Sequence, residues 1–282
     1  MPEQVKWGVI GSGGIARRRT IPEGIAAAPN ARLTAVFDVD SAANQAVAAQ
    51  FGATAAKSVG ELLSSGVDAV YIATPAHAHY EHVQAAVCAG KHIFCEKPLG
   101  MTVEDAEKMV DAARQAGVLF GCAFMMRFQS QHQAALKLIE AGRLGKPVYG
   151  RAQLSCWYPP MAGAWRQDPA AGGGGSLIDM GGHCIDLLEM FFGATRRVSC
   201  FTRNTVQAYK SEDSAVALLE FESGALGTVD AFFCITDEGS KNALELHGSM
   251  GSILAEGTIG QASQGKMTAI LKEGAGGYDA KQ

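Results

Sequence analysis

An apolar run, Val5–Ile10, leads directly into Gly11-Ser12-Gly13-Gly14-Ile15-Ala16, and a helical pattern follows from Ile15. In such a turn the first glycine permits the sharp bend and the second lets another group approach the backbone. The small residue at Ala16 lets the helix pack closely on the strand. The chain has 34 glycines, so the spacing alone carries little weight. The strand before it and the helix after it give it meaning. Asp38 closes the next apolar run, Leu33–Phe37, where a carboxylate accepts the hydroxyls of a ribose. Together these features predict a strand–turn–helix unit that holds the pyrophosphate of a dinucleotide at a helix N-terminus. Gly11, Ser12, Gly13, Gly14, Ile15, Ala16 and Asp38 are the expected cofactor residues. A carboxylate at Asp38 repels a 2′-phosphate, and Val39-Asp40-Ser41 offers no cation to bind one. NAD is therefore favoured over NADP.

The same alternation continues through the first 123 residues. Strand-like runs at Ala69–Ala73, His92–Cys95 and Val118–Ala123 are separated by amphipathic helical segments at Ser41–Phe51, His79–Ala89 and Thr102–Ala116. Gly90 and Gly117 fall where a helix stops and a strand begins. This pattern predicts a parallel sheet covered on both faces, an α/β Rossmann domain over 1–123. From residue 124 to 282 the rhythm changes. A helix over Gln131–Ala141 and a strand over Pro147–Tyr158 precede a second helix, which opens at Gly172–Gly175 and runs to Phe192. After it come only strand-like runs: Val198–Arg203, Ala215–Glu222, Ala225–Phe233, Asn242–His247, Ser252–Ala255 and Met267–Leu271. An α+β domain with an open, mostly antiparallel sheet is expected, and the Gly-rich stretch from Gly274 reads as a frayed tail.

Two groups of residues carry chemistry. Ligands bind beyond the carboxyl ends of the strands in an open α/β sheet. Thr74-Pro75 after Ala69–Ala73 and Glu96-Lys97-Pro98 after His92–Cys95 therefore face the cofactor, with Lys97 beside the nicotinamide. A solvated lysine after a strand is the competing reading. In Gly175-Ser176-Leu177-Ile178-Asp179-Met180-Gly181-Gly182-His183, Asp179 and His183 are spaced i, i+4, and Asp186 follows three later on the same face. Gly181 and Gly182 each cost a helix about 1 kcal/mol, which suggests a close approach to its backbone. Ser176 with Asp179 also makes a capping box, an alternative explanation of Asp179. Asp186 touches substrate, orients His183 or serves a helix contact.

Lys and Arg number 24 against 28 Asp and Glu, a net charge of −4, which gives no reason to expect nucleic acid or an anionic membrane as partner. No apolar run approaches the roughly 20 residues that span a bilayer. A strand starts at Val5, leaving no room for a signal peptide, and Arg17–Arg19 lead into no apolar segment. Seven cysteines without a Cys-x-x-Cys pair read as free thiols of a cytoplasmic protein, with no disulfide and no zinc site. His77, His79 and His82 lack the carboxylate or thiol that would complete a metal set, so no metal is expected.

Gly11–Ala16, Asp38, Glu96-Lys97-Pro98 and the glycine-led helix with Asp179 and His183 resemble the Gfo/Idh/MocA oxidoreductases. Ala89-Gly90-Lys91-His92 and Gly145-Lys146-Pro147 extend the likeness over nearly the whole chain. The resemblance implies catalysis by Lys97, Asp179 and His183, and it places His79 near the cofactor. It also implies a homo-oligomer, dimer or tetramer, built on the open sheet. A carbohydrate or cyclic polyol would lose hydride to NAD and a proton to His183, while Lys97 steadies the oxygen. Trp157, Tyr158, Trp165, Arg166 and Arg127 are candidates for the substrate wall, although aromatic residues serve as often in cores. Where the family often has Thr-Pro-Asn, this chain has Thr74-Pro75-Ala76. The family also usually continues beyond this length, so Gln282 reads as an early end. Two rival readings remain at this stage: a glycosidase of the same fold that uses NAD transiently, and a non-catalytic NAD-binding protein.

Overall fold

A computed structural model describes residues 4–261 and 265–272; the glycine-rich tail lies outside the described residues. The chain divides into two compact units, Met1–Ala123 with Ala170–Gly173, and Phe124–Pro169 with Gly174–Gln282. The first holds a six-stranded, wholly parallel sheet in the order β3-β2-β1-β4-β5-β6. Its strands are β1 (Val5–Ile10), β2 (Ala31–Phe37), β3 (Thr54–Ala55), β4 (Ala69–Ile72), β5 (His92–Cys95) and β6 (Phe120–Cys122). This is the doubly wound order of a Rossmann domain. The two-residue β3 and the helix Val59–Ser64 were not anticipated, being too short for periodicity to register. Burial on both faces explains the apolar strands. Val9, Val36 and Tyr71 pack under one helical layer, and Ile10, Ala35, Val70 and Ile72 under the other.

Three helices of this unit begin on side-chain caps, the short Val59–Ser64 on Ser58, which accepts from the Glu61 N–H. Asp40 accepts from the N–H groups of Ala42 and Ala43 ahead of Ser41–Phe51, and Thr102 accepts from Asp105 ahead of Val103–Ala116. Gly52 and Gly117 end those helices in the left-handed conformation. The helix after the phosphate turn departs from α geometry: Ala16–Ile25 winds as a π-helix. Pro22 lies inside it and has no N–H to donate, and the Ala26 N–H reaches back five residues to the Ile21 carbonyl at 2.8 Å.

The second unit is built on a seven-stranded sheet in the order β13-β12-β11-β7-β10-β9-β8. The strands are β7 (Pro147–Ser155), β8 (Thr195–Arg203), β9 (Ser214–Phe221), β10 (Leu226–Phe232), β11 (Leu244–Gly248), β12 (Gly251–Glu256) and β13 (Lys266–Leu271). Every pairing is antiparallel except β7 with β10. One face packs under Ser130–Glu140 and Gly182–Phe192, enclosing Leu187, Leu188, Phe192, Leu219, Phe221 and Leu246. Gly150 in β7 is what lets the second helix lie so close. A Cβ there would run into the Phe192 ring and come within 2.9 Å of Leu188 Cδ2. The opposite face carries a polar ladder. Arg151 reaches Asp230 at 3.1 Å and Glu245 at 3.4 Å, and Tyr149 stacks on His247.

His132 is fully buried in this core, with Nδ1 2.8 Å from the Met126 carbonyl. Burial pushes its proton affinity below the ordinary histidine value, against the pull of that carbonyl. The unfolded chain, with a pKa of about 6.5, therefore takes up a proton before the folded one does. Melting temperature should hold steady above that pH and fall as the solution is acidified below it. His132→Gln should flatten part of the decline; an unchanged slope would show that His132 does not contribute to it.

Candidate active site

In the first unit the glycine turn is shaped by its neighbours. Gly11 has φ +85°, and a Cβ there would stand 2.8 Å from the main chain of Ala73 and Thr74. Both the left-handed backbone and the close passage exclude a side chain. The Gly13 N–H donates to Asp38 Oδ2 at 2.8 Å, and the other Asp38 oxygen accepts from the Asp40 N–H at 3.0 Å. Asp38 therefore ties the turn to the end of β2. Ser12, expected with the rest of the turn to serve the cofactor, points inward instead. It is fully buried, with its hydroxyl 3.3 Å from Asn44 Oδ1 and its N–H on the Phe37 carbonyl. The bare, tightly bent backbone at Gly11 and Gly13 and the carboxylate at Asp38 fit a dinucleotide.

The ends of β4 and β5 are held from behind. His79 is 1% exposed and lies between two carbonyls, with Nε2 2.9 Å from Thr74 O and Nδ1 2.9 Å from Pro98 O. It braces the Thr74-Pro75 and Lys97-Pro98 loops between those two carbonyls. Burial lowers its proton affinity, while those carbonyls and Glu96 pull the other way. Thr74 Oγ1 is 3.2 Å from His82 Nδ1. Glu96 is likewise a brace: it accepts a short hydrogen bond from the Tyr71 hydroxyl and, at 3.3 Å, the N–H of Lys97. Thr20 donates to Tyr71 at 3.1 Å. Burial, and next the nearby Glu96, push the Tyr71 hydroxyl well above the usual phenol range. The backbone of Lys97 is thus anchored through a chain of buried polar groups.

The second unit carries Asp179 and His183. The segment Leu177–Gly181 is π-wound and runs into the α-helix Gly182–Phe192, so the expected single α-helical face is underwound at Asp179. Ser176 makes no cap with its side chain, contrary to the capping-box reading. Glu212, which no local pattern points to, does the work. Its Oε2 accepts from Gly175 N–H at 2.8 Å and its Oε1 from Leu177 N–H at 3.0 Å. Of the two glycines in the helix, Gly181 presses toward Ala231 of β10, while Gly182 faces open space.

Arg166 donates from Nε to Asp179 Oδ1 at 2.8 Å, with its guanidinium 4.2 Å from the Trp165 ring centre. Tyr158 also hydrogen-bonds Arg166; burial raises the Tyr158 hydroxyl, and the guanidinium opposes it. The Cys156 thiol is pushed up to about 12, first by burial and then by Asp237 and Asp179. His183 is 7% exposed, with Phe124 edge-on to its ring at 5.8 Å. Arg127 and Asp186, both candidates for substrate contact, are engaged with each other: Arg127 Nε lies 2.8 and 2.7 Å from the two carboxylate oxygens. Burial raises the Asp186 carboxyl, and Arg127 opposes that rise. Trp157 is half exposed and gives its N–H to Asp237. No group of three or more metal-ligating side chains occurs among the described residues.

A Rossmann sheet with a glycine turn, an acid at the end of β2 and a lysine at the end of β5 has the make-up of a nicotinamide-dependent oxidoreductase. Known proteins agree. Residues 5–124 match the family model of an oxidoreductase family with an NAD-binding Rossmann fold, and residues 132–254 match the GFO/IDH/MocA C-terminal domain. The 1,5-anhydro-D-fructose reductase of Ensifer adhaerens is 33% identical over 274 residues, covering 95% of this chain and 81% of that protein. The scyllo-inositol 2-dehydrogenase (NAD(+)) of Bacillus subtilis is 29% identical, covering 82% and 68%. Among solved structures, the WlbA dehydrogenase of Bordetella pertussis, in complex with NADH and UDP-GlcNAcA, superposes with a TM-score of 0.87. It is 25% identical, over 97% of this chain and 79% of that one. The chain belongs to the Gfo/Idh/MocA oxidoreductases.

Asp38→Ser should raise KM for NAD about tenfold, by loss of the ribose contact and of the Gly13 tether, and should lower KM for NADP. Steady-state kinetics with both cofactors checks this. An unchanged preference would remove Asp38 from cofactor recognition.

Proposed function

We propose that the chain moves hydride between NAD and a secondary alcohol of a sugar, sugar derivative or cyclic polyol. The observation that carries this reading is Lys97. It extends β5 at the carboxyl edge of the sheet whose β1 ends in the dinucleotide turn, and Glu96 anchors its backbone. The substrate class follows the relatives, which include enzymes named for an anhydro sugar and an inositol.

Gly11, Gly13, Gly14 and Asp38 would hold the dinucleotide, with Thr74 and Pro75 lining the nicotinamide end. Bound NAD supplies a hydride acceptor. His183 removes the hydroxyl proton, a task that suits an imidazole near neutral pH. The Lys97 ammonium donates to the same oxygen and offsets the negative charge that builds there. Asp179, held by the Arg166 guanidinium, accepts from a neighbouring substrate hydroxyl. Trp165 offers an aromatic face to the C–H side of a ring.

A homo-oligomer and a cytoplasmic setting complete the proposal. The uncovered sheet face exposes Phe201, Val216, Leu218 and Leu226, an apolar area that a second copy would bury. All seven cysteines are free, as suits a reducing compartment. No helix among the described residues is long and apolar enough to cross a membrane.

Lys97→Met should lower kcat by about 100-fold or more, with Kd for NADH little changed. His183→Asn should do the same, measured as NADH formation across inositols, aldoses and sugar acids. Full activity in either variant would overturn its assignment. Leu218→Asp should reduce the mass measured by light scattering to that of one chain; a wild type already of that mass would refute the oligomer.

A further inference from the structure

Glu212 lies in the connection between β8 and β9, far in sequence from the helix it touches. Its contacts go beyond one cap. Both carboxylate oxygens take main-chain N–H groups, from Gly175 and Leu177, and its own carbonyl oxygen accepts from the Ser176 N–H at 3.0 Å. Three consecutive backbone donors at the start of the Asp179–His183 segment therefore end on one residue. The approach is so close that a Cβ at Gly175 would collide with the Glu212 carbonyl oxygen. A buried, charge-assisted set of this kind fixes a backbone more tightly than a neutral cap.

The strap bearing Glu212 is itself immobilised on both sides. Asp213 is fully buried and accepts from the N–H groups of Thr205 at 2.8 Å, Val206 at 2.7 Å and Gln207 at 2.7 Å, and from the Ser214 hydroxyl at 2.7 Å. On the other side, the Ser211 N–H donates to the Gln167 carbonyl at 3.3 Å, joining the strap to the turn Trp165–Gln167 that bears Arg166. Consecutive residues Ser211 and Glu212 thus hold the two segments whose side chains meet as the Arg166–Asp179 pair. A hydrogen bond of 2.8 Å between those side chains depends on both backbones being held.

We propose that Glu212 is a positioning residue for the reaction: it sets the start of the helix that presents Asp179 and His183, and touches neither substrate nor cofactor. This rests on the catalytic reading of His183 and Asp179 given above. A misplacement of about 1 Å at a reacting group costs on the order of 100-fold in rate, while a cofactor bound through other residues is unaffected.

The test uses the full chain with NAD and whichever polyol or sugar of the panel turns over. Glu212→Gln keeps the size of the side chain but puts an NH2 group against a backbone N–H. Gly175→Ala disturbs the same contact from the other side. Each should lower kcat about tenfold or more, with Kd for NADH, read by fluorescence, within about twofold of wild type. Because both act on one contact, the double variant should lose no more than the worse single variant. Should Glu212→Gln not fold, Glu212→Asp carries the same expectation, since it keeps the charge but reaches one N–H instead of two. Wild-type kcat in the Glu212 variant, or losses that multiply in the double variant, would overturn the proposal. An active His183→Asn would instead overturn the reading of His183, and the two failures are told apart by which variant stays active.

Discussion

Backbone N–H groups at a glycine turn have no helix or sheet to satisfy them, and in this protein distant carboxylates take them up. Asp38 receives Gly13, and Glu212 receives Gly175 and Leu177; nearer in sequence, Glu96 receives its neighbour Lys97 and Asp213 receives three successive donors. A hydrogen bond to a charged group contributes about 1.5–3 kcal/mol, more than a neutral one, and an unmet buried donor costs a comparable amount. The turns that carry the functional groups keep their shape through these contacts. Glycine allows the bend, and the acid decides which bend is kept.

The two units divide the chemistry by the kind of backbone each supplies. The parallel sheet brings its carboxyl ends to one edge, so the turn after β1, Asp38 after β2, Thr74 after β4 and Lys97 after β5 all leave the sheet in the same sense. The second unit contributes a helix resting on a mostly antiparallel sheet, with its first turns underwound at Asp179. Such underwound π turns widen the backbone locally and are frequent at functional sites. The first unit has another such segment in Ala16–Ile25, where Pro22 supplies the cause.

Much of this was legible in the residues, and what was not has a physical explanation. The glycine turn, Asp38 and the strand-end Glu96-Lys97-Pro98 depend on local patterns that topology then places. Side-chain partners were harder to read. Glu212 is separated from Gly175 by 37 positions and Arg127 from Asp186 by 59, and no periodicity relates them. Ser176 and Asp179 satisfy a capping-box spacing, yet the Asp179 N–H goes to the Gly175 carbonyl and the serine makes no cap. His79 and Glu96 sit where site residues belong, but their side chains turn to the loops behind. Direction of a side chain is set by tertiary packing, which spacing alone does not encode.

One strand in the second sheet has no near neighbour in sequence. β7 pairs with β10, 77 positions on at Tyr149 and Leu226, and with β11, 94 positions on at Arg151 and Glu245. As the chain leaves the ribosome at about 5–20 residues per second, β7 stands unpaired for several seconds. Throughout that interval both its edges are open to other nascent chains. Tyr149, Arg151 and Gln153 along one face make it a poor template for aggregation while it waits. The charged ladder across the finished sheet thus has an earlier use, guarding a strand whose partners have yet to be made.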